Sequence, residues 1–256
     1  MAIFQRLSIG ALLVVAGAGA GVRAETTSAL QLTPHPVVLR QDDNSTRTQS
    51  VYTTDGAAFL QAAVGQLPEP NKSIVRLMLD YPRNGEHSYW WPKGVSYDGS
   101  TTDVIVNGVT MMKGEPGGRT FCCGLTLEVY YRYAALKPAL AAKLAADPAR
   151  FKKDWFCHNI NSPGPLDALV AAGAGKHITD LDKALPGDFV QLWRNDKSGH
   201  SVIFVNWLKD ATGKRIGLQY WSTQISTNGI GFASESFGTA KKQINPNHFS
   251  ITRPTI

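Results

Sequence analysis

The spacing of hydrophobic positions predicts several helices in the first two thirds of the chain. Between Gly56 and Leu67 the apolar residues share one helix face, with Asp55 placed to cap the helix and Pro68 placed to end it. Three further helices are predicted by the same period: Thr120–Leu136, Lys137–Lys153 and Pro165–Ala172. These segments supply the helical part of the fold.

Strand patterns make up the remaining regular structure. Val104–Val106 and Val109–Met111 flank Asn107-Gly108, a dipeptide typical of tight hairpin turns. Three later strands are predicted: Asp188–Leu192, Ser201–Leu208 and Ile216–Gln224. Helices followed by an antiparallel meander predict an α+β fold, in which a central antiparallel sheet packs against a helix.

The first 24 residues have the pattern of a secretory signal peptide. Arg6 precedes an apolar block, Ile9–Ala20, and small residues lead to Ala24. We expect cleavage after Ala24 and a secreted or periplasmic protein, with an uncleaved membrane anchor as the less favoured alternative. Glu25 follows where a lipoprotein would have Cys.

Composition narrows the function classes. The chain is 43% hydrophobic and 18% charged, which is typical of a globular protein rather than a disordered one. Its formal net charge of +6 is not concentrated in any segment, so no nucleic-acid binding is expected. Beyond the N-terminus no apolar stretch is long enough to span a bilayer, so no stable membrane insertion is expected after signal cleavage.

Two adjacent cysteines are the first candidates for chemistry. Cys122 and Cys123 lie in the first turn of the predicted helix in which Leu125, Val129 and Leu136 are spaced for burial. The positive end of the helix dipole stabilises a thiolate there, which favours a nucleophile. The alternative is that both are small core residues.

A glycine pair and a histidine could complete such a site. Gly117-Gly118 just before the cysteines could present backbone N–H groups to an oxyanion. His200 is the only one of the six histidines that directly precedes an apolar strand, which would hold a general base rigidly. The alternative for His200 is a structural role at the strand end.

Three short motifs in a fixed order suggest a family: Phe121–Leu125, Leu185–Phe189 and Gly199–Ile203. Together they resemble the papain-like cysteine hydrolases of the NlpC/P60 and CHAP group, over Pro116 to Gln224. The resemblance implies a papain-like fold and a bacterial cell-wall stem peptide as substrate. Phe121 departs from the pattern, because an Asp often precedes the nucleophile.

The resemblance also implies residue roles. The nucleophile falls on Cys122, with Cys123 where the family usually has Ser, and the histidine falls on His200. Asp188 matches the aspartate of the turn, whose usual role is structural. The third polar residue has no unambiguous counterpart.

The strand Ile216–Gln224 offers three candidates for that third residue: Gln219, Ser222 and Gln224. Ser222 and Gln224 share a face by the strand period of two. An amide oxygen can hold an imidazole N–H, so Gln224 is preferred over Gln219.

The third cysteine, Cys157, leaves an odd count for an exported protein. Adjacent cysteines do not easily bridge to each other, so any internal disulfide uses Cys157. If Cys122 is the nucleophile it must stay free, and the expected disulfide then joins Cys123 to Cys157. A zinc site at Cys157-His158 is disfavoured, because the chain has no second close pair of ligands. No metal and no cofactor are therefore expected.

These observations predict an exported thiol-dependent amide hydrolase that acts on peptidoglycan stem peptides or a similar peptide. Residues 25–115 are expected to form an N-terminal extension packed on a catalytic domain of residues 116–256. The adjacent Trp90 and Trp91 could stack on substrate, although a core position is favoured for them. The alternative function is a non-catalytic cell-wall or peptide-binding domain on the same scaffold.

Overall fold

The computed structural model describes residues 35–40, 46–51, 55–91 and 96–256. The predicted signal peptide, residues 1–24, lies outside the described residues. Strands β1 (His35–Arg40) and β2 (Thr46–Val51) pair antiparallel with each other. No helix within the described ranges is both long and apolar enough to cross a membrane.

Six α-helices occur in the described residues: α1 (Gly56–Ala63), α2 (Asn71–Asp80), α3 (Cys122–Ala135), α4 (Pro138–Ala145), α5 (Pro148–Trp155) and α6 (Pro165–Ala171). The predictions for α1, α3 and α6 are confirmed. Asp55 accepts a hydrogen bond from the backbone of Ala57 at the start of α1, as its capping position predicted. Helix α2 was not predicted, although it buries three apolar side chains, Ile74, Val75 and Met78.

The prediction of one helix over Lys137–Lys153 is wrong. The segment divides into α4 and α5 because Asp147 and Pro148 begin a new helix. The Asp147 carboxylate accepts a hydrogen bond from the backbone N–H of Arg150, and the proline ring disfavours helical backbone at the residue before it.

Strands β3 (Val104–Val106) and β4 (Val109–Met112) form the predicted hairpin. Asn107 and Gly108 have φ angles of 50° and 76°, which is the left-handed pair that a two-residue turn of this kind requires.

The six later strands form one antiparallel sheet: β5 (Gly175–His177), β6 (Phe189–Arg194), β7 (Gly199–Lys209), β8 (Arg215–Gln224), β9 (Gly229–Ser236) and β10 (Ile244–Pro254). Their order in the sheet is β5-β10-β6-β7-β8-β9. The strand that begins with Gly199 therefore lies inside the sheet, as its apolar sequence predicted. β5, β9 and β10 were not predicted.

Both faces of the sheet are covered. Ile203 and Trp221 pack in the core that contains α3, whereas Val202 and Phe204 pack in a smaller core on the other face. Within α3, Leu125 and Val129 are buried as predicted. Leu136 is 62% exposed, contrary to prediction, because the helix ends at Ala135 and Leu136 only caps it. The fold is therefore α+β, with the sheet packed against α3.

The turn before β6 is fixed by Asp188, whose side chain is fully buried. Its carboxylate accepts 2.8 Å hydrogen bonds from the Leu185 backbone, from the Asn71 side chain and from two nitrogens of Arg253. Asp188 thus ties α2, the turn and β10 together, which is a structural role.

Candidate active site

Helix α3 is entered from an extended segment that fixes the position of Cys122. Residues 88–90 run beside Thr120, with a hydrogen bond from the Trp90 N–H to the Thr120 carbonyl and another from the Thr120 N–H to the Ser88 carbonyl. Phe121 keeps an extended backbone and Cys122 begins the helix. The sulfur of Cys122 is consequently presented at the helix N-terminus, beside the start of β7.

The surroundings of Cys122 favour the thiolate. A hydrogen bond from the Cys123 thiol lowers the pKa of Cys122, and burial opposes this effect. The charge and hydrogen bond of His200 and the backbone N–H of Ser201 lower that pKa further, and the net pKa is well below that of an ordinary thiol. Of the three thiols, Cys122 is the one that this environment keeps as a thiolate.

The other two thiols are held in the protonated form. The hydrogen bond to Cys122 raises the pKa of Cys123, and burial adds to this effect. Burial also raises the pKa of Cys157, with the nearby charge of Cys122 as a second cause. The three sulfurs therefore differ in protonation although they line the same cavity.

His200 is the second residue of β7 and is only 5% exposed. Its Nε2 atom lies 3.0 Å from Oε1 of Gln224, so the imidazole N–H can donate to the amide oxygen. This leaves Nδ1 as the ring nitrogen that can exchange a proton with the Cys122 sulfur. The contact expected between His200 and a side-chain oxygen of β8 is present, while the catalytic role of Gln224 stays a prediction.

The other two candidates on β8 are placed elsewhere. Ser222 donates a 2.8 Å hydrogen bond to the backbone carbonyl of Ser201, one residue beyond His200. Gln219 lies on the opposite face of β8 from Gln224 and is paired in register with Asn206. The structure thus brings Gln224 to the imidazole, as the strand period favoured.

A polar chain behind Gln224 was missed by the sequence analysis. The Tyr220 hydroxyl lies 2.9 Å from Gln224 Oε1 and 2.6 Å from Glu235 Oε1. Glu235 in turn accepts two hydrogen bonds from Arg194, at 2.7 and 2.5 Å. Tyr220 shares its strand face with Gln224, so the period of two could have found it, whereas Glu235 lies on the unpredicted β9.

Glu235 is ionised despite its burial. Burial raises its pKa, but the Arg194 hydrogen bonds and charge outweigh this effect and the positive charge of His200 contributes, so the net pKa is lowered. The charges of Glu235 and His200 therefore attract each other across this cluster of polar side chains.

A cavity of about 300 Å³ opens over the Cys122 sulfur. Tyr89, Trp91 and Trp193 supply its aromatic wall. Burial raises the pKa of Tyr89 to about 12, with the charges of Cys122 and Cys123 as further causes. Tyr89 is therefore a protonated hydroxyl, able to donate a hydrogen bond within the cavity that Cys122 lines.

The two adjacent tryptophans have different surroundings, contrary to the core position favoured for both. Trp91 is 55% exposed at the cavity, with its ring edge-on to Phe121. Trp90 is covered by the guanidinium of Arg119, 3.8 Å from its ring. Only Trp91 is available to substrate at this cavity.

The oxyanion role considered for Gly117-Gly118 is wrong. The Gly117 N–H donates to the Glu115 carboxylate and the Gly118 N–H donates to the Glu115 carbonyl, so neither N–H is directed to the cavity. The carbonyl of Gly118 contacts the His87 ring instead. This glycine pair shapes a turn before α3.

The disulfide considered between Cys123 and Cys157 is absent. Cys122, Cys123 and Cys157 are all free thiols. Across the described ranges, no group of three or more His, Cys, Asp or Glu side chains is arranged to hold a metal ion.

Comparison with known proteins finds no matching family model, no matching curated protein and no matching solved structure.

Proposed function

We propose that the protein is a cysteine hydrolase that cleaves amide bonds, with Cys122 as nucleophile and His200 as general base and acid. The observation that carries this proposal is the chain of contacts from Cys122 through His200 to Gln224. A helix carrying a cysteine at its N-terminus and packed on an antiparallel sheet also fits the papain-like fold that the sequence motifs suggested.

In the proposed mechanism the Cys122 thiolate attacks the carbonyl carbon of the scissile amide. The carbonyl oxygen becomes negatively charged, and the Tyr89 hydroxyl is a donor that can stabilise this charge. His200 then gives its proton to the departing amine, which leaves a thioester on Cys122. Water activated by the neutral His200 hydrolyses the thioester and restores the thiolate.

Gln224 acts on the imidazole rather than on the substrate. Its oxygen accepts the Nε2 proton, and its own amide nitrogen donates a 2.7 Å hydrogen bond to the Ser226 hydroxyl. This arrangement fixes the ring with Nδ1 directed to the reacting sulfur.

Two adjoining cavities favour a peptide over a small amide as substrate. A second cavity of about 390 Å³ shares Gln191 and Trp193 with the cavity over Cys122. Asn161 and Asn247 line it, and their amide groups can both donate and accept hydrogen bonds with the backbone of a peptide. A peptidoglycan stem peptide is the specific substrate we propose, from the sequence resemblance alone, in a secreted or periplasmic setting.

The test is an analysis of cleavage products by mass spectrometry. The protein is incubated with muropeptides and, separately, with a mixed peptide library, beside Cys122→Ala and the surface variant Thr239→Ala. We expect new amine and carboxyl ends with the wild type and with Thr239→Ala, and none with Cys122→Ala.

Intact substrates with the wild type in both mixtures would overturn the hydrolase proposal and favour the binding domain. Equal cleavage by Cys122→Ala would remove Cys122 as nucleophile. Cleavage of library peptides but not of muropeptides would overturn only the cell-wall substrate.

A further inference from the structure

The cavity over Cys122 contains a second accessible thiol that the hydrolytic mechanism does not use. Cys157 lies between α5 and α6 and lines the same 300 Å³ cavity as Cys122. Burial raises the pKa of the Cys157 thiol and the negative charge of Cys122 adds to this effect, in keeping with their shared position at the cavity.

The local structure leaves Cys157 free to react. Its sulfur makes only a long contact of 3.9 Å, to the Trp155 carbonyl, and it sits over Gly164, where a Cβ atom would lie 2.4 Å from the sulfur. The chain from Phe156 to Gly164 belongs to no helix or strand. Its two ends are held by helical hydrogen bonds, from the Phe156 N–H to the Lys152 carbonyl and from the Ala168 N–H to the Gly164 carbonyl, so a small shift confined to residues 157–163 leaves α5 and α6 intact.

Cys123 is the competing partner and is worse placed. It is the neighbour of Cys122 in one helix turn, where a disulfide between adjacent residues is strained. Its side chain also packs in the main hydrophobic core, of which Cys122 is not a member. Cys157 is therefore the better partner for an oxidised Cys122.

We propose that Cys122 and Cys157 form a peroxide-sensitive pair, in which Cys157 converts an oxidised Cys122 into a disulfide. The proposal needs a reactive Cys122 thiolate and does not need hydrolysis to be its reaction. The pair is thus a modification site in addition to the proposed active site.

The chemistry proceeds in two balanced steps. The Cys122 thiolate attacks one oxygen of a hydroperoxide, so that an S–O bond forms, the O–O bond breaks and the leaving oxygen takes a proton. Cys122 is oxidised to the sulfenic acid by two electrons and the peroxide is reduced. The Cys157 sulfur then attacks the Cys122 sulfur, forming the S–S bond, while the hydroxyl leaves as water with the Cys157 proton.

The consequence is a reversible block of the nucleophile. The disulfide removes the Cys122 thiolate, and a dithiol reductant restores it. Without Cys157 the sulfenic acid stays exposed to further peroxide and proceeds to the irreversible sulfinic and sulfonic acids.

The test is peptide mapping of the whole chain after treatment with hydrogen peroxide and alkylation, without reduction. Trypsin places Cys122 and Cys123 on the peptide of residues 120–132 and Cys157 on the peptide of residues 154–176. We expect a cross-link between these two peptides that fragmentation assigns to Cys122, and that dithiothreitol removes.

Three variants sharpen the result. We expect the cross-link to remain in Cys123→Ser, to be lost in Cys122→Ser, and to be lost in Cys157→Ser with two or three oxygens added to the 120–132 peptide instead. A wild-type digest without the cross-link, or a cross-link that fragmentation assigns to Cys123, would overturn the proposal. The cross-link and the added oxygens are both measured without any hydrolysis substrate. An absence of hydrolytic activity would therefore contradict only the proposed function.

Discussion

At the scale of single residues, the site depends on how one imidazole is held between a thiolate and an amide. The Nε2 atom of His200 lies within hydrogen-bond distance of Gln224, and the charged Glu235 carboxylate lies behind Gln224, next to Tyr220. These contacts favour one orientation of the His200 ring, with the Nε2 proton directed to Gln224 and Nδ1 directed to Cys122. Residues that never touch substrate should therefore influence the rate.

Gln224→Ala tests this positioning role. A hydrogen bond to a charged group contributes about 1.5–3 kcal/mol, so kcat/KM should fall roughly 10- to 100-fold. The loss should fall mainly on kcat, and the matched control is Gln219→Ala on the opposite face of the same strand. Steady-state kinetics on a cleaved peptide checks this, and equal losses in the two variants would show that Gln224 only supports the fold.

At the scale of elements, the turn before β6 connects a helix of the first third of the chain to the last strand. The buried Asp188 carboxylate meets Asn71 of α2 and Arg253 of β10. This turn fixes the start of β6, the strand that pairs with β7 and so supports His200. A change there should act on stability first.

Asp188→Asn should destabilise the protein strongly. Breaking a buried ion pair by removing one partner costs about 3–5 kcal/mol, because Arg253 stays buried without its carboxylate. Asp182→Asn is the matched control, since Asp182 is 86% exposed in its pair with Arg215 and such surface pairs contribute about 0–1 kcal/mol. Urea unfolding measures both, and similar midpoints for the two variants would contradict this account.

At the scale of the whole molecule, the site is assembled from segments far apart in sequence. The cavity combines an extended segment at Tyr89, the start of α3, the loop at Cys157 and the strands β6 and β7. Trp193, whose indole nitrogen donates a 3.2 Å hydrogen bond to the Ser162 carbonyl, also lines the second cavity. This arrangement predicts a preference for longer substrates.

Asn247→Ala tests the second cavity as part of the substrate site. One neutral hydrogen bond contributes about 0.5–1.5 kcal/mol, so KM for a long peptide should rise roughly 2- to 10-fold with kcat unchanged. The shortest cleaved peptide should be unaffected, and Thr239→Ala should change neither value. An equal change for short and long peptides would place Asn247 outside the substrate site.

Local signals in the sequence predicted more of this molecule than non-local ones. The hairpin at Asn107-Gly108 and the helix that begins at Cys122 follow from neighbouring residues, and both are confirmed. β10 has a polar sequence and pairs with β6 across a large sequence separation, so no local period reveals it. Glu235 was not predicted for the same reason, because β9 forms by pairing within the sheet and its own sequence has no clear strand period.

The pH dependence of Cys122 alkylation tests the central claim, a reactive thiolate paired with His200, most directly. Iodoacetamide reacts with the thiolate only, and the located adduct separates Cys122 from Cys123 and Cys157. Because the pKa of Cys122 is lowered, its rate should stay near its maximum from about pH 8 down to about pH 6, where an ordinary thiol loses about 100-fold.

In His200→Ala the pKa of Cys122 should rise, so its alkylation at about pH 6 should slow by at least roughly 10-fold, while the rate above about pH 9 is kept. Cys123 and Cys157 should react only at higher pH in both proteins, since their pKa values are raised. A wild-type Cys122 that slows in proportion to falling pH from about pH 8, or a His200→Ala profile identical to the wild type, would contradict the account.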